Sequence, residues 1–173
     1  DLLFNKSLPG NDISPVKSSF SLKSGASASD RMMTAMGQGE TQVSPYHMAL
    51  ITSAIANGGN LMRPYLVEQV TNYTGSIVRE ASPDSYGSLM TSQEAAQLKD
   101  YMESVVEYGT ASVLNGQSYT AAGKTGTAEY SSDKEKDHSW IVGMSNVEDP
   151  DLVISVIIES ADGRATAVNV ATE

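Results

Sequence analysis

The sequence contains no cysteine, which excludes both a disulfide framework and thiolate metal sites. Only two histidines are present, His47 and His138, and their wide separation does not suggest a histidine-based metal site. Basic residues are few, since 11 lysines and arginines stand against 21 aspartates and glutamates, for a formal net charge of −10. That charge opposes non-specific binding to nucleic acid or to anionic lipid.

Long apolar runs are also missing. The longest, LVISVII at residues 152–158, is far shorter than the roughly 20 residues that cross a bilayer as a helix, so an anchor would lie outside this chain. The chain begins with Asp1 and has no signal-like apolar segment, so we expect it to be cut from a longer protein. Apolar residues make up 40% of the chain, which is adequate for the packed core of one domain or most of one.

Two segments have the pattern of amphipathic helices, at about residues 45–57 and 92–108. In both, apolar residues recur at helical spacing and mark one face. Ser44 and Thr91 are suitable N-cap residues, and glycines follow both segments. These features predict two well-bounded helices.

The remaining patterned segments predict strands and turns. A hairpin is expected around the Tyr-Thr-Gly turn at residues 73–75, and a short helical turn is expected in TASVL at 110–114. Three further strands are predicted, at residues 119–130, 138–146 and 152–160, separated by a charged loop at 131–137 and a turn at 147–151. The third strand is rich in β-branched residues and is expected to be buried on both faces. Residues 165–173 have the spacing of a helix that is just beginning.

This order predicts an α+β fold, in which an antiparallel sheet, made of a three-stranded meander plus a hairpin, packs with helices. We expect a loop-rich lead-in at residues 1–30, helices and a hairpin at 31–119, and a motif-bearing sheet with the start of a terminal helix at 120–173. A truncated sheet exposes strand edges, which predicts a tendency to self-associate.

The stretch AAGKTGTAEY at residues 121–130 has two chemical interpretations. A phosphate-binding loop requires Gly-x-x-x-x-Gly-Lys-Ser/Thr followed by a helix whose N-terminus faces the phosphates. Counting back from Gly123 places the first glycine at position 118, which is Ser118. Strand-like residues follow the lysine, so the context argues against a nucleotide site.

The second interpretation is a Lys-Thr-Gly strand that lines the active site of a serine acyltransferase. A lysine supplies positive charge toward a substrate carboxylate, and threonine hydroxyls can hydrogen-bond that group. A glycine lets the backbone approach the substrate closely, and the next backbone N–H can point at a developing oxyanion. On the tetrapeptide alone, an ordinary glycine-containing strand with a surface lysine stays open as an alternative.

Several longer segments resemble class B penicillin-binding proteins, the transpeptidases that cross-link the bacterial cell wall. They are MTAMGQGETQVSPYHMALITSAIANGGNLMRPYLV at 33–67, GTASVL at 109–114, KTGTAEY at 124–130 and HSWIVGMS at 138–145. The resemblance extends over nearly the whole chain in a consistent order and is weakest at residues 1–30. It implies an incomplete transpeptidase fold of the penicillin-binding-protein and β-lactamase type.

The resemblance also implies roles for four residues. Lys124 would give electrostatic and hydrogen-bond support to a relay serine and to the substrate carboxylate. Thr125, Gly126 and Thr127 would contact substrate, and the N–H of Thr127 would help form the oxyanion hole. The implied partners are peptidoglycan stem peptides and β-lactams, with no cofactor. The parent would be membrane-anchored on the extracytoplasmic face, with this chain itself soluble.

The family also needs a Ser-x-x-Lys nucleophile motif and a Ser-x-Asn motif. A Ser-x-x-Lys is present from Ser14 to Lys17, and no serine has asparagine two residues later. The residues after Lys17 are serine-rich and carry no helical apolar stripe, so Ser14 is best interpreted as a surface loop serine. We therefore expect the nucleophile to lie outside this chain, and this C-terminal portion of the domain to be inactive alone.

Two other functional classes stay open. One is a fragment of a serine β-lactamase or β-lactam sensor, since both share the Lys-Thr-Gly wall. The other is a non-catalytic binding or scaffolding module of the same fold. The Gly-Gln-Gly segment at residues 37–39 and the inserted hairpin and helix favour the wall-synthesis enzyme.

Other polar residues are interpreted mainly as structural. Gln38, between two glycines, is expected in a turn that sets the entry of the next helix, with a direct site role as the alternative. His47 is expected to be a surface or packing residue. For His138 and Trp140 the expectation is packing beside the motif strand, with a substrate-facing role as the alternative.

Overall fold

The computed structural model describes residues 2–10, 12–131, 136–163 and 166–172. The helices within these ranges are α1 (Ala28–Ala35), α2 (Pro45–Ala56), α3 (Ser92–Tyr108) and α4 (Ala167–Val170). The strands are β1 (Asn60–Met62), β2 (Gln69–Thr71), β3 (Ile77–Glu80), β4 (Ser85–Ser88), β5 (Ala121–Glu129), β6 (Asp137–Ser145) and β7 (Val153–Ile158). A 3-10 turn covers Ser112–Leu114. Most of the predicted charged loop at 131–137 lies outside the described residues.

The largest sheet is an antiparallel meander in the order β5-β6-β7, as predicted. Its β5–β6 pairing runs without a bulge from Ala121 opposite Ser145 to Glu129 opposite Asp137. Helix α2 packs on one face of the sheet, where Ile55 joins a buried cluster with Ala122, Val142 and Met144. Helix α4 packs on the other face, where the buried residues include Ala121, Ile141, Ala167 and Val168. The meander is therefore covered on both faces.

Helix α3 connects the two sides of the sheet. It packs against β5 and contributes Met102 to the cluster on the α2 face and Val106 to the cluster on the α4 face. Its predicted ends are confirmed at both residues, Ser92 and Tyr108. Thr91 is its N-cap, as predicted, within a capping box in which Thr91 Oγ1 accepts from the Glu94 N–H at 3.2 Å and the Glu94 carboxylate accepts from the Thr91 N–H at 2.8 Å. The carboxylate also accepts from the Thr91 hydroxyl at 2.8 Å, and the two hydrogen bonds that it accepts from Thr91 lower the pKa of Glu94.

Strand β7 departs from its prediction. All six of its residues are half-buried, so the expectation of burial on both faces was wrong. The reason is its position, because β7 is the last strand of the meander and no other described strand pairs with its outer edge. A run of β-branched residues reports a preference for extended backbone as well as burial, and the two cannot be separated within one segment.

The predicted hairpin is confirmed as β2 and β3, in which Gln69 lies opposite Glu80. Every residue of both strands is exposed, so the hairpin projects from the packed body. Its turn is held by Asn72, whose side-chain oxygen accepts from the N–H groups of Thr74 and Ser76, each at 3.0 Å. A second pair, β1 with β4, was not predicted. The sequence of β4, SYGS, lacks the β-branched alternation that marks a strand.

The N-terminal segment also differs from the predicted lead-in. Helix α1 was missed, although Ser27 and Asp30 form a capping box that opens it. The helix buries none of its residues, so it has no core-facing stripe to detect. Leu3 and Leu8 are buried against α2 and β1, so residues expected to be loop-like supply part of the core.

None of the helices within the described ranges is long and apolar enough to cross a membrane.

Candidate active site

The Lys-Thr-Gly-Thr motif occupies the middle of β5, and its main chain is oriented by the β5–β6 ladder. Just beyond the two ends of β5, the Thr120 carbonyl accepts from the Asn146 N–H at 2.8 Å and the Tyr130 N–H donates to the Lys136 carbonyl at 3.3 Å. Antiparallel pairing alternates between residues that exchange hydrogen bonds with the partner strand and residues that point away from it. Because the register has no bulge, the even-numbered residues of β5 face β6. Thr125 and Thr127 therefore turn their N–H and C=O groups to the opposite edge.

That opposite edge is open along the motif. The first three residues of β5 are buried, but every residue from Lys124 to the end of the strand is exposed or half-buried. No described strand other than β6 pairs with β5. The motif therefore presents main-chain donors and acceptors along an accessible strand edge.

Two side chains contact the outward carbonyls of this edge. The Lys124 ammonium donates to the Thr125 carbonyl at 2.5 Å. The Gln38 side-chain amide donates to the Thr127 carbonyl at 3.0 Å. The outward carbonyls of Thr125 and Thr127 therefore each accept a hydrogen bond from a side chain of the protein.

The motif side chains divide between the two faces of the sheet. Lys124 and Gly126 belong to the face covered by α2, because successive strand residues alternate and Ala122 is buried in that cluster. Thr125 and Thr127 belong to the opposite face. The predicted lysine and threonine contacts with substrate can therefore converge only at the open edge of β5, where both faces meet.

Gly126 lies opposite Trp140 in the ladder. A Cβ atom built on Gly126 would meet only the Trp140 Cβ, at 3.4 Å. By contrast, a Cβ on Gly123 would lie 3.1 Å from the main-chain oxygen of Val142. Packing is therefore tight against a side chain at Gly123, whereas the fold leaves room for a small one at Gly126.

Thr110 is a site neighbour that the sequence did not single out. Its hydroxyl oxygen lies 2.5 Å from that of Thr125, just past the C-terminal end of α3. Thr110 belongs to the GTASVL segment, which carried part of the resemblance. Membership of that segment was the only sequence feature that pointed to Thr110. Without the fold, nothing connected it with Thr125.

Gln38 has both of the roles considered for it. Gly37 and Gly39 have φ angles of 83° and 87°, which L-residues with a side chain rarely adopt, so the segment is a glycine-dependent turn. The same turn delivers the Gln38 amide to the motif strand, 89 residues away in sequence. Gln38 therefore lies in the predicted turn and also contacts the motif strand directly.

A polar cluster lies just past the end of β5. The rings of Tyr130 and His138 stack with centroids 4.5 Å apart, and the Tyr130 hydroxyl donates to Asp162 at 3.0 Å. His138 Nδ1 accepts from the Ser160 N–H at 2.9 Å, so a neutral ring carries its proton on Nε2. These contacts agree with the packing role predicted for His138.

Ser14 and Lys17 are both exposed, and the segment between them is not helical. A helical turn is needed to bring the two residues of a Ser-x-x-Lys pair onto one face, so this segment does not form that pair. The interpretation of Ser14 as a surface loop serine is confirmed. Among the described residues, no cluster of three or more histidines or carboxylates is arranged to hold a metal ion.

A sequence profile described as "Penicillin binding protein transpeptidase domain" matches residues 7–173. The chain belongs to this family. It is 30% identical over 139 residues to the peptidoglycan D,D-transpeptidase PbpA of Mycolicibacterium smegmatis, a match that covers 78% of this chain and 28% of that protein. It is 32% identical over 143 residues to stage V sporulation protein D of Bacillus subtilis, covering 78% of this chain and 21% of that protein. The matches thus span about a quarter of the length of these curated relatives.

Solved structures confirm the α+β fold with antiparallel sheets. The D,D-transpeptidase domain of a peptidoglycan glycosyltransferase from Eggerthella lenta superposes with a TM-score of 0.76 at 31% identity, covering 99% of this chain and 44% of that one. Penicillin-binding protein A from M. tuberculosis, solved as an imipenem acyl-enzyme complex, superposes with a TM-score of 0.83 at 23% identity. That second match covers 98% of this chain and 38% of the other, and at that identity it supports the fold alone.

Proposed function

We propose that the protein containing this chain is a peptidoglycan D,D-transpeptidase that works through a serine acyl-enzyme, and that this chain forms the Lys-Thr-Gly wall of its active site. The observation that carries the proposal is the open edge of β5, where Thr125 and Thr127 direct main-chain groups outward beside Lys124. The family membership and the names of the curated relatives support the same activity.

Each motif residue has a distinct part in this proposal. In it, the outward N–H of Thr127 donates to the oxyanion of the tetrahedral intermediate, which a preorganised donor stabilises. Lys124, already beside the edge, supplies positive charge toward the substrate carboxylate and the relay serine. Thr125 and Thr127 line the edge along which an extended peptide substrate lies. Gly126 leaves the strand without a side chain between Lys124 and Ala128 on the other face, so that the substrate approaches the backbone closely.

The proposed partners are the stem peptides of peptidoglycan and the β-lactams that acylate the same serine. Relatives of known structure have been captured as acyl-enzymes with imipenem and with penicillin G. The proposed location is the extracytoplasmic face of the bacterial membrane, with the anchor in another part of the protein. The Ser-x-x-Lys and Ser-x-Asn motifs would likewise come from outside these 173 residues, which would make this chain the C-terminal portion of the domain, inactive alone.

Labelling with a fluorescent penicillin tests the proposal. We expect covalent label on the intact protein and none on the 173-residue chain alone. Lys124→Ala in the intact protein should lower the labelling rate by at least about a hundredfold, the size seen when a group that stabilises the transition-state charge is removed. Lys17→Ala is the matched control and should label at the wild-type rate.

Three results would contradict the proposal. Absence of label on the intact protein would favour a non-catalytic module. Label that is released within seconds by hydrolysis would favour a β-lactamase. Label on Ser14, with loss of labelling in Lys17→Ala, would mean that the nucleophile lies in this chain after all.

A further inference from the structure

The contact between Gln38 and Thr127 joins two segments that no other described hydrogen bond connects. Gln38 Nε2 donates to the Thr127 carbonyl at 3.0 Å. The flanking glycines, with φ angles of 83° and 87°, hold the turn that carries this side chain across to β5. A primary amide is chemically close to a peptide N–H, so the side chain supplies the donor that a neighbouring strand would supply.

The carbonyl that Gln38 contacts lies on the open edge of β5. An extended peptide that adds to a sheet edge pairs its own N–H groups with the outward carbonyls of that edge. The carbonyl oxygen has a second lone pair, but a peptide lying along the strand must enter the space that the Gln38 amide occupies. Gln38 and an added peptide therefore compete for the same place beside Thr127.

From this geometry we propose that Gln38 is a specificity-determining residue for the acylation reaction. Its side-chain amide donates a hydrogen bond to the Thr127 carbonyl in the unliganded protein. Only ligands that donate an amide N–H of their own to that carbonyl displace it. Ligands without such an amide bind with Gln38 in place. This inference rests on the proposed function, because it takes the open edge of β5 as the place where the acyl donor lies.

The segment that carries Gln38 has few contacts that displacement would break. Helix α1, which precedes it, buries none of its residues, and Met36 and Gly37 are exposed. Beyond the turn, the main chain of Gln42 pairs with Ser19 through two hydrogen bonds of 2.8 and 2.9 Å, which anchors the far side. The Gln38 side chain can thus withdraw while the chain on either side keeps its path.

Acylation kinetics of the intact protein test this assignment with two probes. Benzylpenicillin carries an acylamino N–H on its β-lactam ring, whereas imipenem carries a hydroxyethyl group at that position. We expect Gln38→Ala to raise the second-order acylation rate constant for benzylpenicillin, relative to that for imipenem, by about two- to tenfold. That range is the equivalent of one neutral hydrogen bond that no longer has to be displaced.

Two further variants make the result specific to the amide. Gln38→Met keeps the length and most of the bulk of the side chain but cannot donate, so it should change the ratio in the same direction as Gln38→Ala. Gln42→Ala is the matched control, because Gln42 is a glutamine of the same segment that pairs through its main chain. It should leave the ratio unchanged, and a thermal melt of each variant identifies any that does not fold.

The inference is overturned if both Gln38 variants change the two rate constants by the same factor, or if they slow benzylpenicillin selectively. An unchanged ratio in folded Gln38→Met would overturn it as well. These outcomes leave the proposed function standing, since the wild-type protein is acylated in all of them. Failure of the wild-type protein to react with either compound would overturn the proposed function and the inference with it.

Discussion

The hydroxyl oxygens of Thr110 and Thr125 lie 2.5 Å apart, which ties the end of α3 to the motif strand. We predict that Thr110→Val, which keeps the shape but removes the hydroxyl, lowers the acylation rate of the intact protein by about two- to tenfold, the equivalent of one hydrogen bond. Thr110→Ser retains the hydroxyl and should restore most of the rate. Equal rates for the valine and serine variants would mean that the contact does not orient Thr125.

Alanine substitutions at the two glycines of the motif strand should have different effects on stability and on activity. Gly126→Ala places its methyl group only against the Trp140 Cβ, at 3.4 Å, so the free energy of unfolding should change by less than about 1 kcal/mol. Gly123→Ala forces a Cβ to within 3.1 Å of a main-chain oxygen, and overpacking there should cost about 1–3 kcal/mol. Denaturant titrations and penicillin labelling together check the pair.

In that experiment Gly126→Ala should label more slowly although it is stable, because the added methyl group stands on the strand that the ligand must approach. If Gly126→Ala keeps both full stability and the full labelling rate, the close-approach role of this glycine is contradicted.

A second glycine pair concerns the end of α2. Gly59 has a φ of 94°, and a Cβ there would lie 2.3 Å from the Met90 main-chain oxygen. Gly58 has a φ of 61°, but a Cβ there would meet nothing within 4 Å. We predict that Gly58→Ala costs about 1–2 kcal/mol of unfolding free energy from the left-handed backbone alone. Gly59→Ala should cost clearly more, because its clash is with a backbone atom that cannot move aside; equal losses would contradict this account.

His47 should make the stability of the protein depend on pH. It is fully buried, its Nε2 donates to the Leu2 carbonyl at 2.7 Å, and its Nδ1 has no partner in the described part of the chain. Burial lowers the pKa of His47 below its usual 6.5, so the folded protein holds the neutral ring. As pH falls through 6.5, His47 becomes protonated in the unfolded chain but stays neutral in the folded protein. Folding therefore becomes less favourable.

The expected slope is up to about 1.4 kcal/mol of unfolding free energy lost per pH unit below that point, until the folded-state pKa is reached. Denaturant titrations between neutral and mildly acidic pH measure it. His47→Gln retains a donor toward Leu2 but does not titrate, so its stability should lack this slope. A slope that is the same in the variant and the wild type would assign the pH dependence to other groups.

Local sequence patterns predicted an element correctly where all the residues that define it lie within one short segment. Helix α3 was predicted to the residue, because its capping box, apolar stripe and terminal glycine all lie within the helix or next to it. Helix α1 and strand β4 were missed because one buries no face and the other has no strand-like pattern. The burial of β7 was overestimated because an edge position is a property of the whole sheet.

The same distinction holds at the site. The Lys-Thr-Gly-Thr motif and its strand were readable from four adjacent residues and the alternation around them. The partners of that strand were not, because Gln38 and Thr110 reach it from 89 and 15 residues away. Hydrogen bonds between such distant segments form only in the tertiary fold, and composition and residue spacing do not predict them.

By itself, the sequence determined the family, through long segments that resemble its members. It also determined the antiparallel meander and the identity of the motif residues, since these depend on local periodicity and on adjacent side chains. The tertiary structure alone decided which edge of the motif strand is open and which side chains occupy it. The register of β5 against β6 decides which edge is open. The sequence shows that residues alternate along a strand, but not which set pairs with a neighbouring strand. Packing sets the second, because the turn after α1 and the loop after α3 meet β5 only in the folded protein.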